Sequence, residues 1–270
     1  MPTIEQHFER ADPTIRAVYE TILKRASRGW VIAAVVIGAS SCTHPTTTPQ
    51  PSPARSTTAA RPLPNDVRWF RNSAEYRALT REIYLTASGR LSELSRGLTA
   101  RTWAVILDAD ETVLDNSEYQ RRRAVLDSGY TDATWTAWVN ERAAVAIPGA
   151  VEFTARVHDA GGRVVIVTNR AIDVCDATRA NLKSVGVDAD LVLCQPQGES
   201  NKNPRFERVQ NGTAVSGVPA LRVVAWVGDN IQDFPGMTQA ARNDPAALAE
   251  FGKRFFVLPN PMYGSWQQVP

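Results

Sequence analysis

Histidine is almost missing from this chain, with three in 270 residues: His7, His44 and His158. His7 and His44 lie in the N-terminal segments. His158 sits in the amphipathic stretch Val151 to Ala160, ahead of Gly161-Gly162, and reads as a solvated helix residue. This scarcity argues against a His-ligated zinc site and against phosphohistidine chemistry. It argues equally against a Ser-His-Asp hydrolase, and the G-x-S-x-G elbow is lacking as well. Cysteine is as rare. Cys42, Cys175 and Cys194 form no C-x-x-C pair, which speaks against a zinc ribbon or a thioredoxin-like centre. No charge of one sign dominates: 30 Lys and Arg against 28 Asp and Glu leave a formal net charge of +2. Without a long basic run, no nucleic-acid partner is indicated. The apolar run Trp30 to Ile37 is too short to span a bilayer comfortably.

That run has another use. Lys24, Arg25 and Arg28 precede it, and Gly38-Ala-Ser-Ser-Cys42 follows. A basic region, a short apolar core and small residues make a secretory signal. The cysteine after small residues is similar to a bacterial lipobox, with Ala39 where leucine is usual. By that resemblance Cys42 would carry lipid and anchor an extracytoplasmic protein to a membrane, the bacterial outer membrane facing periplasm or cell surface. The alternative is a free or disulfide-bonded Cys42 after ordinary signal cleavage. Residues 1–41 are thus read as an N-terminal extension and signal peptide, the first 23 as an amphipathic helix without assigned function. Residues 42–64, rich in Pro, Thr and Ser, cannot bury enough surface to offset their ordering entropy and read as a tether. The folded domain is expected over 65–270.

Within it, Asp66 to about Leu98 predicts a helix, since Trp69, Phe70, Tyr76, Leu79, Ile83 and Tyr84 recur at helical spacing. From Trp103 on, strands at 103–108, 163–168, 190–194, 222–228 and 254–258 alternate with helices at 132–144, 149–160, 172–185, 204–211 and 244–252. Such alternation predicts an α/β fold, a parallel sheet flanked by helices. The intervening stretch 113–148 predicts a small, mostly helical cap over the strand ends.

Three short polar signals each follow a strand-like run. They are Asp108-Ala-Asp110-Glu-Thr112, Thr168-Asn169, and Gly228-Asp229-Asn230 with Asp233; Lys202 is the fourth element. Ligands of open parallel sheets bind outside the carboxyl ends of the strands, so these signals converge on one acidic site. Asp108 is placed to attack phosphorus, and Asp110 to protonate the leaving oxygen and then deprotonate water. Asp108 and Asp229, with the backbone carbonyl of Asp110, form a hard-oxygen set for Mg²⁺, although other divalent cations accept the same ligands. Thr168, Asn169 and Lys202 would bind the phosphoryl group. Asp233 would hold Lys202 or a metal-bound water, with Thr112 and Asn230 in support. Taken singly, each signal has a plain alternative: a helix cap, a turn or a solvated lysine.

Together they resemble the haloacid dehalogenase superfamily, and more narrowly the class C "DDDD" acid phosphatases, the bacterial lipoprotein phosphatases. The matching stretches include Ser73-Ala-Glu-Tyr76, Ile106 to Asn116, Trp135, Trp138-Val139 and Ile147 to Phe153. They continue through Val167-Thr-Asn-Arg170, Lys202 with Arg205-Phe206, Val227 to Asn230 with Asp233-Phe234, and Leu258 to Gly264 with Trp266. The resemblance implies a Rossmann-like parallel sheet, metal-dependent hydrolysis of phosphomonoesters through an aspartyl-phosphate, and 5′-nucleotides among the substrates. It also implies aromatic side chains that stack on the base, for which Tyr119, Trp135 and Tyr263 are candidates. Asp110, which dehalogenases of the superfamily lack, favours a phosphatase. The family's C-terminal tail is not matched after Trp266, so a homodimer stays open. So do transfer to acceptor alcohols at the same site, a nucleotide- or haem-binding lipoprotein, and a Cys175–Cys194 disulfide as against two buried thiols.

Overall fold

A computed structural model of the chain describes residues 62–269. The signal peptide, Cys42 and all but the last residues of the tether lie outside the described residues. Two helices open the described part, α1 (Asn65–Asn72) and α2 (Ala74–Leu94). The sequence pattern predicts one helix here. Ser73 divides it: its backbone is extended, and its hydroxyl accepts the Tyr76 N–H at 3.0 Å, so it caps a new helix.

The sheet follows in β1 (Trp103–Leu107), β4 (Arg163–Ala171), β5 (Leu191–Gln195), β6 (Arg222–Gly228) and β7 (Phe255–Val257). Its order is β5-β4-β1-β6-β7, and every pairing is parallel. The chain therefore builds outward from β1 on one side, then returns to lay β6 on the other. The crevice where the strand order reverses opens above β1 and β6. Side chains alternate between the two faces. Val105, Leu107, Val164 and Ile166 pack under α2, α5 (Ala150–Asp159) and α6 (Cys175–Ser184). Ala104, Ile106, Val165 and Val167 pack against Phe206 and Val209 of α7 (Asn203–Gln210). The helices thus cover both faces, as the alternating pattern predicts.

Between β1 and α5 the chain forms the cap: β2 (Leu114–Asp115), α3 (Ser117–Val125), α4 (Asp132–Glu141) and β3 (Val145–Ala146). β2 and β3 pair antiparallel, a stem absent from the sequence reading that ties the base of the cap together. Arg71 of α1 reaches Glu118 of α3 at 3.1 Å and docks the first helix against the cap.

Three local expectations fail. The helix expected at 244–252 is instead a series of turns, such as Ala247 N–H to Asp244 O and Phe251 N–H to Leu248 O, both at 3.1 Å. Asp244 precedes Pro245, which excludes it from the helical region, and its φ of −128° and ψ of 96° are extended. His158 is half-buried rather than freely solvated: its imidazole lies 2.9 Å from Asp190, at the amino ends of the strands. And β4 runs on through Thr168 and Asn169 to Ala171, carrying both residues with it.

Cys175 and Cys194 form a disulfide, with Cα atoms 5.8 Å apart at a sequence separation of 19. It joins the start of α6 to the end of β5. Closing a loop of this size in the unfolded chain is worth about 3 kcal/mol. The Cys175→Ser/Cys194→Ser double variant should therefore melt about 6–12 °C lower by calorimetry, while keeping its far-ultraviolet circular dichroism at room temperature.

Candidate active site

Asp108 directly follows β1, and its N–H extends the ladder to Val227 O at 3.0 Å. Its carboxylate is 7% exposed and touches the Lys202 ammonium, which also donates to Asp233 Oδ1 at 2.6 Å. Lys202 stands at the amino end of α7 and is itself buried. Burial alone would drive its pKa down, but Asp108 and Asp233 outweigh that and hold it above its usual value. Burial pushes Asp108 up to about 7, against the opposing pull of Lys202.

Asp229 follows β6. Asn260 Nδ2 donates to its Oδ2 at 2.7 Å, and the Thr112 hydroxyl donates to its Oδ1 at 3.4 Å. Burial first, then the charges of Asp233 and Asp108, hold its carboxyl well above the ordinary range. Asp233 ends a short 3₁₀ turn, Ile231–Asp233, and accepts the Asn230 N–H at 2.9 Å. Asn230 in turn caps Gln232 and accepts the Ser265 hydroxyl at 2.7 Å. Gly228 is required where Asp233 folds back, because a Cβ there would lie 2.3 Å from the Asp233 Cβ.

One oxygen each of Asp108, Asp229 and Asp233 fall within 4.8 Å of one another. Three hard oxygen donors, Asp108 and Asp233 buried and Asp229 half-buried, with a single ammonium among them and neighbouring carboxylates helping to raise the pKa of Asp108 and Asp229, suit a divalent cation. The Asp110 carboxylate lies outside this cluster, held by Arg170 Nε and Asn116 Nδ2, each at 2.9 Å; it is the Asp110 backbone carbonyl that the expected metal set draws on. Its neighbour Glu111 is buried in a left-handed turn with φ 53° and accepts the Asn116 N–H at 2.8 Å. Burial, with Asp110 and Asp229 nearby, raises the Glu111 carboxyl well above its usual pKa.

These groups line a cleft of about 860 Å³ between the strand ends and the cap, within the size range of small-molecule sites. Asn169 stands on its wall. Arg205, buried behind it, donates to Asn169 Oδ1 at 2.6 Å and to Thr168 O at 2.5 Å. Thr168 lies behind the wall, fully buried, its hydroxyl accepting the Arg170 N–H at 3.1 Å. Thr112 is likewise buried, and its carbonyl accepts the Tyr84 hydroxyl at 2.7 Å.

Of the three aromatic candidates, Trp135 and Tyr263 line the cleft. Tyr119 does not. It is 3% exposed, its hydroxyl lies 3.0 Å from Thr134 Oγ1, and its ring packs edge-on to Trp135 in the cap core. Tyr130, overlooked in the sequence, lines the cleft instead. Arg170, Asn116, Arg205 and Asn260 were also given no role, although all four fall in the stretches that carry the resemblance. Their signal was a buried partner, which only the fold supplies. Among the described residues no histidine lines the cleft.

A family model described as HAD superfamily, subfamily IIIB (acid phosphatase), matches residues 33–266. The structure of the class C acid phosphatase from Bacillus anthracis superposes with a TM-score of 0.65 at 31% identity, covering 76% of this chain and 86% of that one. A structure of the Bacillus anthracis enzyme with tungstate bound gives 0.64 at the same identity and coverage. Among curated proteins, a stem 31 kDa glycoprotein of Glycine max is 26% identical over 165 residues, and a stem 28 kDa glycoprotein of the same plant is 25% identical over 167. The chain spans 58% of the length of these two relatives. A match over most of the chain, together with a fold that superposes on the Bacillus anthracis enzyme, places the chain in subfamily IIIB of the haloacid dehalogenase superfamily, the acid phosphatases.

Proposed function

We propose that the protein is a divalent-metal-dependent phosphomonoesterase that works through an aspartyl-phosphate on Asp108 and accepts 5′-nucleotides. The observation that carries this reading is the placement of Asp108: a buried carboxylate at the end of a central strand, paired with Lys202, beside Asp229 and Asp233 and open to the cleft. An Asp108 oxygen attacks phosphorus while the bond to the ester oxygen breaks. Asp110, on the cleft wall, gives the leaving oxygen a proton and later takes one from the water that cleaves the acyl phosphate. Lys202 sets its charge against the phosphoryl oxygens, and the Asn169 amide donates to them from a position fixed by Arg205. Thr168 contributes by shaping the end of β4, where its hydroxyl accepts the Arg170 N–H. A cation, Mg²⁺ in the first instance, would be held by Asp108 and Asp229 with Asp233 adjacent and the Asp110 carbonyl available; it would supply positive charge that favours the ionised carboxylates. Trp135 and Tyr263 would flank the base of a nucleotide. An extracytoplasmic site, with lipid on Cys42, belongs to the same proposal, supported by the basic, apolar and small-residue pattern that ends at Cys42.

Asp108→Asn keeps the shape of the side chain but removes the nucleophile. Phosphate release from an aryl phosphate should fall at least about 10³-fold with the melting curve retained, and full activity in this variant would discard the assignment. Chelation should abolish turnover. Mg²⁺ at about a hundred times its Kd should add about 2.7 kcal/mol to stability, an upward shift of about 5–10 °C in Tm. In Asp229→Asn that shift should be lost; its persistence would place the cation elsewhere. Tyr263→Ala should raise KM for a 5′-nucleotide about tenfold, within the 1–3 kcal/mol of base stacking, and leave KM for glycerol phosphate unchanged. An equal rise for both would remove Tyr263 from base recognition.

A further inference from the structure

Asp110 is held through one of its two oxygens. Oδ1 accepts Arg170 Nε at 2.9 Å and Asn116 Nδ2 at 2.9 Å, and Arg170 Nη2 lies 2.8 Å from it. Among the described residues no donor reaches Oδ2, although the side chain stands on the cleft wall and is 17% exposed. The two oxygens of one carboxyl group are therefore in different circumstances: one is saturated with donors, the other faces the space that a substrate would fill.

Arg170 itself is 1% exposed. Its Nη2 also donates to Asn116 Oδ1 at 3.0 Å, and the same Asn116 oxygen accepts Trp138 Nε1 of the cap at 2.8 Å. The guanidinium carbon lies 5.6 Å from the centre of the Trp135 ring, and Nη1 is buried without a hydrogen-bond partner. A planar cation that forks onto one oxygen and stacks on an aromatic face is a geometry lysine cannot reproduce. Desolvating a guanidinium is costly, and well-packed apolar side chains commonly serve stability as well or better. The position of this fork thus calls for a reason in the chemistry.

We infer that Arg170 is a positioning residue for phosphoester hydrolysis: it fixes Asp110 at Oδ1 so that Oδ2 carries the transferred proton, and it couples that setting to the cap through Trp135 and the Asn116–Trp138 bond. The inference rests on the phosphomonoesterase reading. In the first half-reaction an Asp108 oxygen bonds to phosphorus, the bond from phosphorus to the ester oxygen breaks, and the proton on Asp110 Oδ2 passes to that oxygen to release the alcohol. In the second, water bonds to phosphorus, its proton passes to Oδ2, and the bond between Asp108 and phosphorus breaks to free phosphate. Oδ1 remains an acceptor throughout, which its three donor contacts suit.

The test uses leaving groups of different basicity, since a poor leaving group needs the proton and a good one departs without it. In the full chain with Mg²⁺, kcat/KM for glycerol phosphate and for 2,4-dinitrophenyl phosphate is measured in the unsubstituted protein, Arg170→Met, Arg170→Lys and Asp110→Asn. Arg170→Met should lose about a hundredfold on the alkyl ester, the scale of one general acid, and less than about threefold on the dinitrophenyl ester. Asp110→Asn should show the same split, and Arg170→Lys should lie between. Equal losses on both esters would reduce Arg170 to a structural residue and overturn the inference, as would unchanged rates on both. If Arg170→Met fails to give a cooperative melt, the ratio in Arg170→Lys decides the matter alone. No hydrolysis of either ester by the unsubstituted protein would sink the phosphomonoesterase reading, and this inference with it. A split in Arg170→Met without one in Asp110→Asn would keep that reading and overturn Asp110 as the residue positioned.

Discussion

A buried ammonium between two buried carboxylates is the constraint around which this cleft is built. Lys202 comes from the start of α7, Asp108 from the end of β1 and Asp233 from the turn after β6, so the contact joins segments 94 and 31 residues apart in sequence. Neither partner tolerates its place without the other. Moving an isolated charge of either sign out of water is costly, and removing one member of such a set commonly destabilises by about 3–5 kcal/mol because its partner is left uncompensated. Yet the compensation is incomplete. Asp229 adds a third carboxylate to one ammonium, and burial with mutual repulsion raises its pKa. The arrangement is short of positive charge, and a divalent cation and a substrate bound together would meet that shortage while balancing each other's charge.

The sheet supplies the geometry that such a cluster requires. β1 and β6 are parallel neighbours, buried along nearly their whole lengths, and their carboxyl ends deliver Asp108 and Asp229 side by side at the point where the strand order reverses. Around them the bonds are arranged so that few of the acidic groups rely on a single contact. Asn260 and Thr112 hold Asp229 from two loops, and the Asn230 N–H holds Asp233. Arg205 ties the loop after β5 to the end of β4 by donating to Thr168 O, Asn169 Oδ1 and Glu199 O. The cleft is therefore set by rigid elements, with its polar groups directed inward before any ligand arrives.

Much of this was legible in the sequence, because the features involved are local. The long β-rich runs before Asp108, Thr168 and Gly228 mark buried parallel strands, and acidic residues just past strand ends mark the crevice. What escaped was whatever depends on distant partners. Period alone could not divide the helix at Ser73, since the residues on either side continue the same spacing. Nor could it show that Pro245 outweighs an alanine-rich stretch that otherwise favours helix. Tyr119 and Tyr130 look alike as aromatic residues of the cap, and only packing sends one into the core and the other to the cleft. Arg170 and Arg205 drew no role in the sequence, for an arginine there carries no sign of the carboxylate or carbonyl it will meet once the fold buries it.

The two aspartates of the first motif show why residue type and spacing stop short of mechanism. Asp108 and Asp110 are separated only by Ala109, which is fully buried. Immediately beyond, Glu111 takes up a left-handed backbone and the chain turns back, with its N–H bonded to Leu114 O at 2.8 Å. That turn puts the pair in different company: an ammonium and two further carboxylates for Asp108, a guanidinium and a carboxamide for Asp110. In the proposed chemistry one must present a nucleophilic oxygen beside a cation, and the other must keep a single oxygen free for a proton. Carboxyl groups of identical chemistry take such different tasks only through their surroundings. The division of labour thus resides less in the acidic motif than in Lys202, Arg170 and Asn116, the neighbours that make its two members unlike.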